Sequence, residues 1–165
     1  MMPKTRSFHV GAVRWTRSLH SVVEVLLTQL AQPHRDIRAL VGRPYGTPHD
    51  LGPQWRALLA TAQDDRCFWC GQAMTGHTAT LEHVLPYRGR WWPQLSRLEQ
   101  LLSLRLSHSK CNLAYRTWRE GQPAARLTRM DQMLVRHIQR TIADQPLLQL
   151  YHAGQYHPPD QTSSG

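Results

Sequence analysis

Lysine is almost missing from this 165-residue chain: Lys4 and Lys110 are the only two, although basic residues number twenty. Acids are sparse as well, eleven in all, which leaves a net charge of +9 with histidine neutral. Cysteine occurs three times, an odd number and too few for a disulfide scaffold. In a reducing compartment such cysteines read as metal ligands or redox groups. Long apolar runs are also lacking. The most apolar stretch, residues 22–30, is short and carries Glu24 and Gln29, which excludes a bilayer span. Residues 1–17 have no continuous apolar segment of the kind a secretory leader needs, because Arg14 and Arg17 interrupt them. These absences predict a soluble, cytoplasmic protein.

What is abundant is arginine, which accounts for all the other bases. Its planar fork of donors suits phosphate oxygens. Compositional bias explains arginine in place of lysine but not the surplus of bases over acids. That surplus points to a polyanionic partner, nucleic acid above all. Hydrophobic residues at 41% and charged residues at 19% describe an ordinary globular chain, long enough for one domain with elaborations.

Residues 1–17 read as a basic, poorly patterned arm. Leu19, Val22, Val23, Leu26, Leu27 and Leu30 recur at helical spacing, predicting a helix from Ser18 to about Ala31 with Ser18 or Ser21 as its cap. A short helix is predicted over 33–41, and the Gly- and Pro-dense 42–53 reads as a linker. Pro53 suits the start of a helix over 54–63. Beyond it come a β-prone Thr78–Val84, a turn-rich 86–93, a helix over 94–102, and a helix from about Ser109 to Arg119 stopped by Gly121. A last helix, Ala124 to about Asp144, sets Leu127, Met130, Leu134, Ile138 and Ile142 on one face. The tail, 153–165, reads as frayed. This divides the chain into an arm with helices (1–53), a metal-braced core (54–121), a C-terminal helix packing on it (122–152) and the tail.

Cys67 and Cys70 form one CxxC knuckle, and His108 and Cys111 repeat its spacing further on. Two residues between ligands let a tight turn aim both at one ion, and two facing turns complete a tetrahedral zinc site. Gly71 suits such a turn, which often needs a positive φ. Alternatively Cys67 and Cys70 are a thiol–disulfide pair, although no βαβ pattern surrounds them.

Between and beyond the knuckles lie Thr80-Leu-Glu82-His83-Val-Leu-Pro86 and Ser103-Leu-Arg-Leu-Ser-His108-Ser-Lys-Cys111-Asn112. In this order, over about residues 64–119, the chain resembles the HNH nuclease family, in the branch whose ββα-metal core is braced by a structural zinc. The resemblance implies an α+β fold and a metal-dependent endonuclease that cuts DNA to 5′-phosphate and 3′-hydroxyl ends. It implies His83 as general base, with Glu82 and Asn112 as ligands of a catalytic Mg²⁺, Mn²⁺ or other divalent cation. The middle family position, an asparagine that fixes the loop carrying the base, falls on Ser103. The helix position where the family often has lysine is Tyr115.

Arg88 and Arg90, in the loop after His83, and Arg116 and Arg119, on the following helix, are the candidate phosphate contacts. Trp91 and Trp92 suit the local core, with base stacking as their alternative. His77 is a weaker metal candidate. The rival to catalysis is a non-catalytic zinc module that binds nucleic acid or a protein.

Overall fold

The computed structural model describes residues 7–32, 53–74 and 79–152. The helix expected over 33–41, the linker up to residue 52, His77 and the tail lie outside them.

Helix α1 (Ala12–Leu30) begins earlier than the apolar spacing predicted, because Trp15 extends the inward stripe of Leu19, Val22, Val23, Leu26 and Leu30. Its N-cap is Gly11, so neither serine caps it. Ser21 bonds back to the Arg17 carbonyl, and Ser18 accepts from Arg105. Phe8 and Val10 are buried ahead of the helix and Trp15 within it, so these three side chains pack inward from the segment read as an arm. Helix α2 (Pro53–Ala62) buries Trp55, Leu58 and Leu59.

Strand β1 (Ala79–His83) pairs antiparallel with β2 (Leu104–His108), Glu82 opposite Arg105 and His83 opposite Leu104. A 3-10 turn (Trp92–Gln94) and α3 (Arg97–Leu102) intervene. The expected start of α3 at residue 94 moves to Arg97 because Ser96 and Glu99 close a reciprocal capping box there. Helix α4 (Ser109–Glu120) follows β2 directly and ends at Gly121. Then come α5 (Ala124–Ala143) and α6 (Pro146–His152), the latter not foreseen as a separate helix.

The fold is therefore α+β: among the described residues, one two-stranded sheet lies among helices. A single apolar cluster runs through α1, α2, α3, β2, α5 and α6, so the outer helices share a core with residues 54–121. No described helix is long and apolar enough to cross a membrane. Of the charged residues buried in the described part of the chain, Arg105 is the most enclosed. Arg105 is fully buried; its Nε donates to Ser18 Oγ and its Nη1 to the carbonyls of Leu102 and Leu104. The guanidinium lies 4.5 Å from the Trp15 ring centroid, and burial pulls its pKa down to about 9. Arg105 thereby pins α1 to β2, the strand that delivers His108.

Candidate metal cluster and adjoining cleft

The ligand atoms of Cys67, Cys70, His108 and Cys111 all lie within 4.8 Å of one another, a set compatible with a zinc site. Tetrahedral zinc with bonds of roughly 2.3 Å to sulfur sets neighbouring sulfurs roughly 3.8 Å apart. Cys70 Sγ and His108 Nδ1 are already 3.3 Å apart. Gly71 turns the first knuckle with φ +71°, as the spacing requires, and its N–H bonds the Cys67 carbonyl. His108 Nε2 is 3.1 Å from the Ala73 carbonyl, to which it donates as the N–H tautomer, leaving Nδ1 for the cluster. Burial pushes the Cys67 thiol up, but N–H groups of Cys70, His108 and Trp69 carry it down to about 7. Burial and the neighbouring Cys67 push Cys111 up to about 12. Thiols crowded in this way ionise together only around a cation, which is the chemistry of a thiolate site.

Beside the cluster, a cleft of about 700 Å³ is lined by Glu82, His83, Tyr87, Arg88, Asn112, Tyr115, Arg116 and Arg119, among others. Glu82 and His83 are adjacent on β1, where side chains alternate in direction. His83 is the last residue of the strand, and the chain turns after it, so both reach the same cleft. The His83 ring packs 5.2 Å from Trp92 and 5.7 Å from Tyr87, centroid to centroid. Asn112, in the first turn of α4, donates through Nδ2 to Thr80 Oγ1 and the Leu81 carbonyl, both 3.3 Å away. Its Oδ1 is left as an acceptor.

Glu82 is held by a residue that sequence reading passed over. The indole N–H of Trp69, inside the first knuckle, donates to Glu82 Oε2 at 2.8 Å, and Ser107 Oγ lies 3.4 Å from the same oxygen. Oε1 makes no hydrogen bond among the described residues. Burial raises the Glu82 pKa to about 7 despite these donors. The folded chain thus binds this proton more tightly than the unfolded chain, whose carboxyl titrates near 4.5. Stability from the protonated carboxyl is present below pH 4.5 and lost as pH rises to about 7, a fall of about 3 kcal/mol. Glu82→Gln keeps the acceptor for Trp69 and removes the titration. Its denaturation midpoint should match wild type at pH 4.5 and exceed it at pH 8 when only the cysteine cluster is metal-loaded. A less stable variant at pH 8 would show that the ionised carboxylate is stabilised instead.

Ser103 does not hold the loop that follows His83. It is buried at the end of α3, and its hydroxyl donates to the Gln100 carbonyl at 2.6 Å. The loop is fastened by Tyr115, whose buried hydroxyl donates to the Val84 carbonyl at 2.7 Å. Tyr115→Phe leaves that buried carbonyl without its donor and should lower stability by about 1–2 kcal/mol in urea melts. Unchanged melting would remove the fastening role.

The candidate arginines separate. Arg88 and Arg116 line the cleft and are exposed. Arg90 is exposed but lies outside the cleft lining, 5.6 Å from the Trp91 ring. Arg119 reaches the cleft but is engaged in a two-point ion pair with Asp131, at 2.8 and 2.9 Å, and also bonds Tyr115. Its guanidinium braces α4 against α5 rather than standing open to phosphate. Trp92 is buried and Trp91 half-buried, so the core reading describes them better than open stacking. Neither a protein-family model, nor a curated protein, nor a solved structure matches this chain.

Proposed function

We propose that the chain is a metal-dependent endonuclease of the HNH type that hydrolyses phosphodiester bonds in DNA, with structural zinc at Cys67, Cys70, His108 and Cys111. The observation that carries this reading is the meeting of Glu82, His83 and Asn112 on one cleft edged by Arg88 and Arg116. The order of β1, β2 and α4, with the thiol–imidazole cluster at the β2–α4 junction, supports it.

Glu82 Oε1 and Asn112 Oδ1 are hard oxygen donors of the kind magnesium or manganese takes. A cation held there would supply stabilisation of the charge on the phosphate and the leaving oxygen. His83, as neutral imidazole, takes a proton from the attacking water. Trp69 and Ser107 orient the Glu82 carboxylate, and Thr80 and the Leu81 carbonyl orient the Asn112 amide. Arg88 and Arg116 hold phosphates flanking the scissile bond, and the positive end of the α4 dipole favours an anion nearby.

Supercoiled plasmid is the direct test. Magnesium or manganese should convert it to nicked circles, and EDTA should stop the conversion. Intact plasmid after incubation with zinc-loaded protein and either cation would leave the non-catalytic zinc module as the better reading.

A further inference from the structure

Helix α5 buries Met130, Leu134, Val135, Ile138 and Ile142. At about 100° of rotation per residue, Arg126, Arg129, Arg136 and Arg140 fall within roughly 80° of one another, on the far side from that apolar face. All four are exposed. Arg129, Met133, Arg136, His137 and Arg140 line a shallow groove of about 350 Å³. Arg126 and Arg129 border a second groove, of about 420 Å³, that also includes Met133 and His9. Sharing Arg129 and Met133, the two grooves form one trough.

Among the described residues the arginines of this trough have no counter-ion. The one ion pair among the described residues is Arg119 with Asp131. Arg126 donates to Gln122 and lies 5.7 Å from the Trp118 ring, while Arg129, Arg136 and Arg140 make no hydrogen bond among the described residues. Asp144, the acid at the end of α5, pairs with none of them. Four like charges on one stripe repel one another, and a polyanion relieves that repulsion.

We infer that this face of α5 is a second phosphate-binding track, separate from the cleft, that grips the backbone of duplex nucleic acid without reading its sequence. The choice of polymer rests on the DNA-cutting proposal; the track itself needs no cleavage chemistry. From Arg126 to Arg140 the stripe runs about 21 Å along the helix axis, the length of roughly six base pairs. A straight rod of that length suits a stiff duplex. Single strands are held by exposed rings on which bases stack, and α5 contains no Phe, Tyr or Trp. A membrane surface needs apolar side chains beside the bases, and those of α5 face the core, with Met133 half-buried between the arginines.

The test is the salt dependence of binding, measured by fluorescence anisotropy in a His83→Ala background so that cleavage does not intervene. The probe is a labelled duplex of arbitrary sequence. Replacing Arg129, Arg136 and Arg140 together by Gln should make the slope of log affinity against log salt shallower by about 2–3. Affinity at low salt should fall on the order of 10- to 100-fold, equally for unrelated duplex sequences. All three side chains are exposed, so the melting temperature serves as the folding control. An unchanged slope overturns the track, as does an arginine-dependent loss confined to a single strand of the same length or to phosphatidylserine vesicles. Plasmid nicking by the wild-type chain is scored separately. Its absence removes the nuclease proposal, while a shallower slope in the triple variant still establishes the track.

Discussion

Replacement of His83 by alanine should abolish DNA cleavage, lowering the rate by about 10²- to 10⁴-fold, the usual contribution of a positioned general base. The same variant should keep its zinc and most of its affinity for duplex. The reasons lie in the separation of parts. His83 is a half-buried ring at the end of β1, touching Trp92 and Tyr87, and it belongs neither to the thiol–imidazole cluster nor to the arginine stripe. Removing the imidazole therefore deletes the proposed proton acceptor and leaves Glu82, Asn112, Arg88 and Arg116 in place. Partial recovery of the rate by added imidazole would mark the missing group as the base itself. Steady-state cleavage, metal content by elemental analysis and anisotropy on one purified sample supply all three readings. Cutting at an undiminished rate by pure His83→Ala protein removes His83 from the role.

Stripping the cluster should have the largest effect on stability. Structural zinc in small domains contributes on the order of 10 kcal/mol of folding free energy, as much as whole domains possess. Here an ion held by the four residues would tie the knuckle of residues 67–71 to the end of β2 and the start of α4. A strong chelator, or Cys111→Ser, should abolish cooperative unfolding around β2 and α4, and stoichiometric zinc should restore the chelated wild type. Binding should tighten as pH rises, because the Cys111 thiol, pushed up to about 12 without metal, must give up its proton. Identical melts with and without zinc, together with freely reactive thiols at Cys67 and Cys70, would favour the thiol–disulfide reading.

The cluster was legible in the sequence because its signal is local: two pairs with the same spacing, and a glycine where the turn needs one. Its four side chains do converge, and Gly71 takes the positive φ expected of it. The cleft was legible in part. Glu82, His83 and Asn112 were picked from their order along the chain and line one depression. What holds them was not readable. Trp69 looks like filler between two cysteines, since nothing local shows that its indole meets a carboxylate thirteen positions on. Tyr115 stands where a basic residue was expected, and its bond to Val84 spans 31 positions. Ser103 was matched by position along the chain, but the end of α3 takes its hydroxyl first. Arg119 counted as surface charge until α5 brought Asp131 against it. Helix α1 was cut short because periodicity alone undervalues an isolated tryptophan: Trp15 is fully buried and extends the stripe by a turn.

Trp69 belongs to two structures at once. Its backbone lies inside the loop that wraps the thiols, and its indole supplies the hydrogen bond that aims Glu82. A foreign CxxC loop grafted here, with any residue but tryptophan between its cysteines, would close around an ion and still leave that carboxylate without its steering donor. Cysteine cluster and cleft therefore form one indivisible module, to be exchanged whole or left alone in any chimera built from this chain.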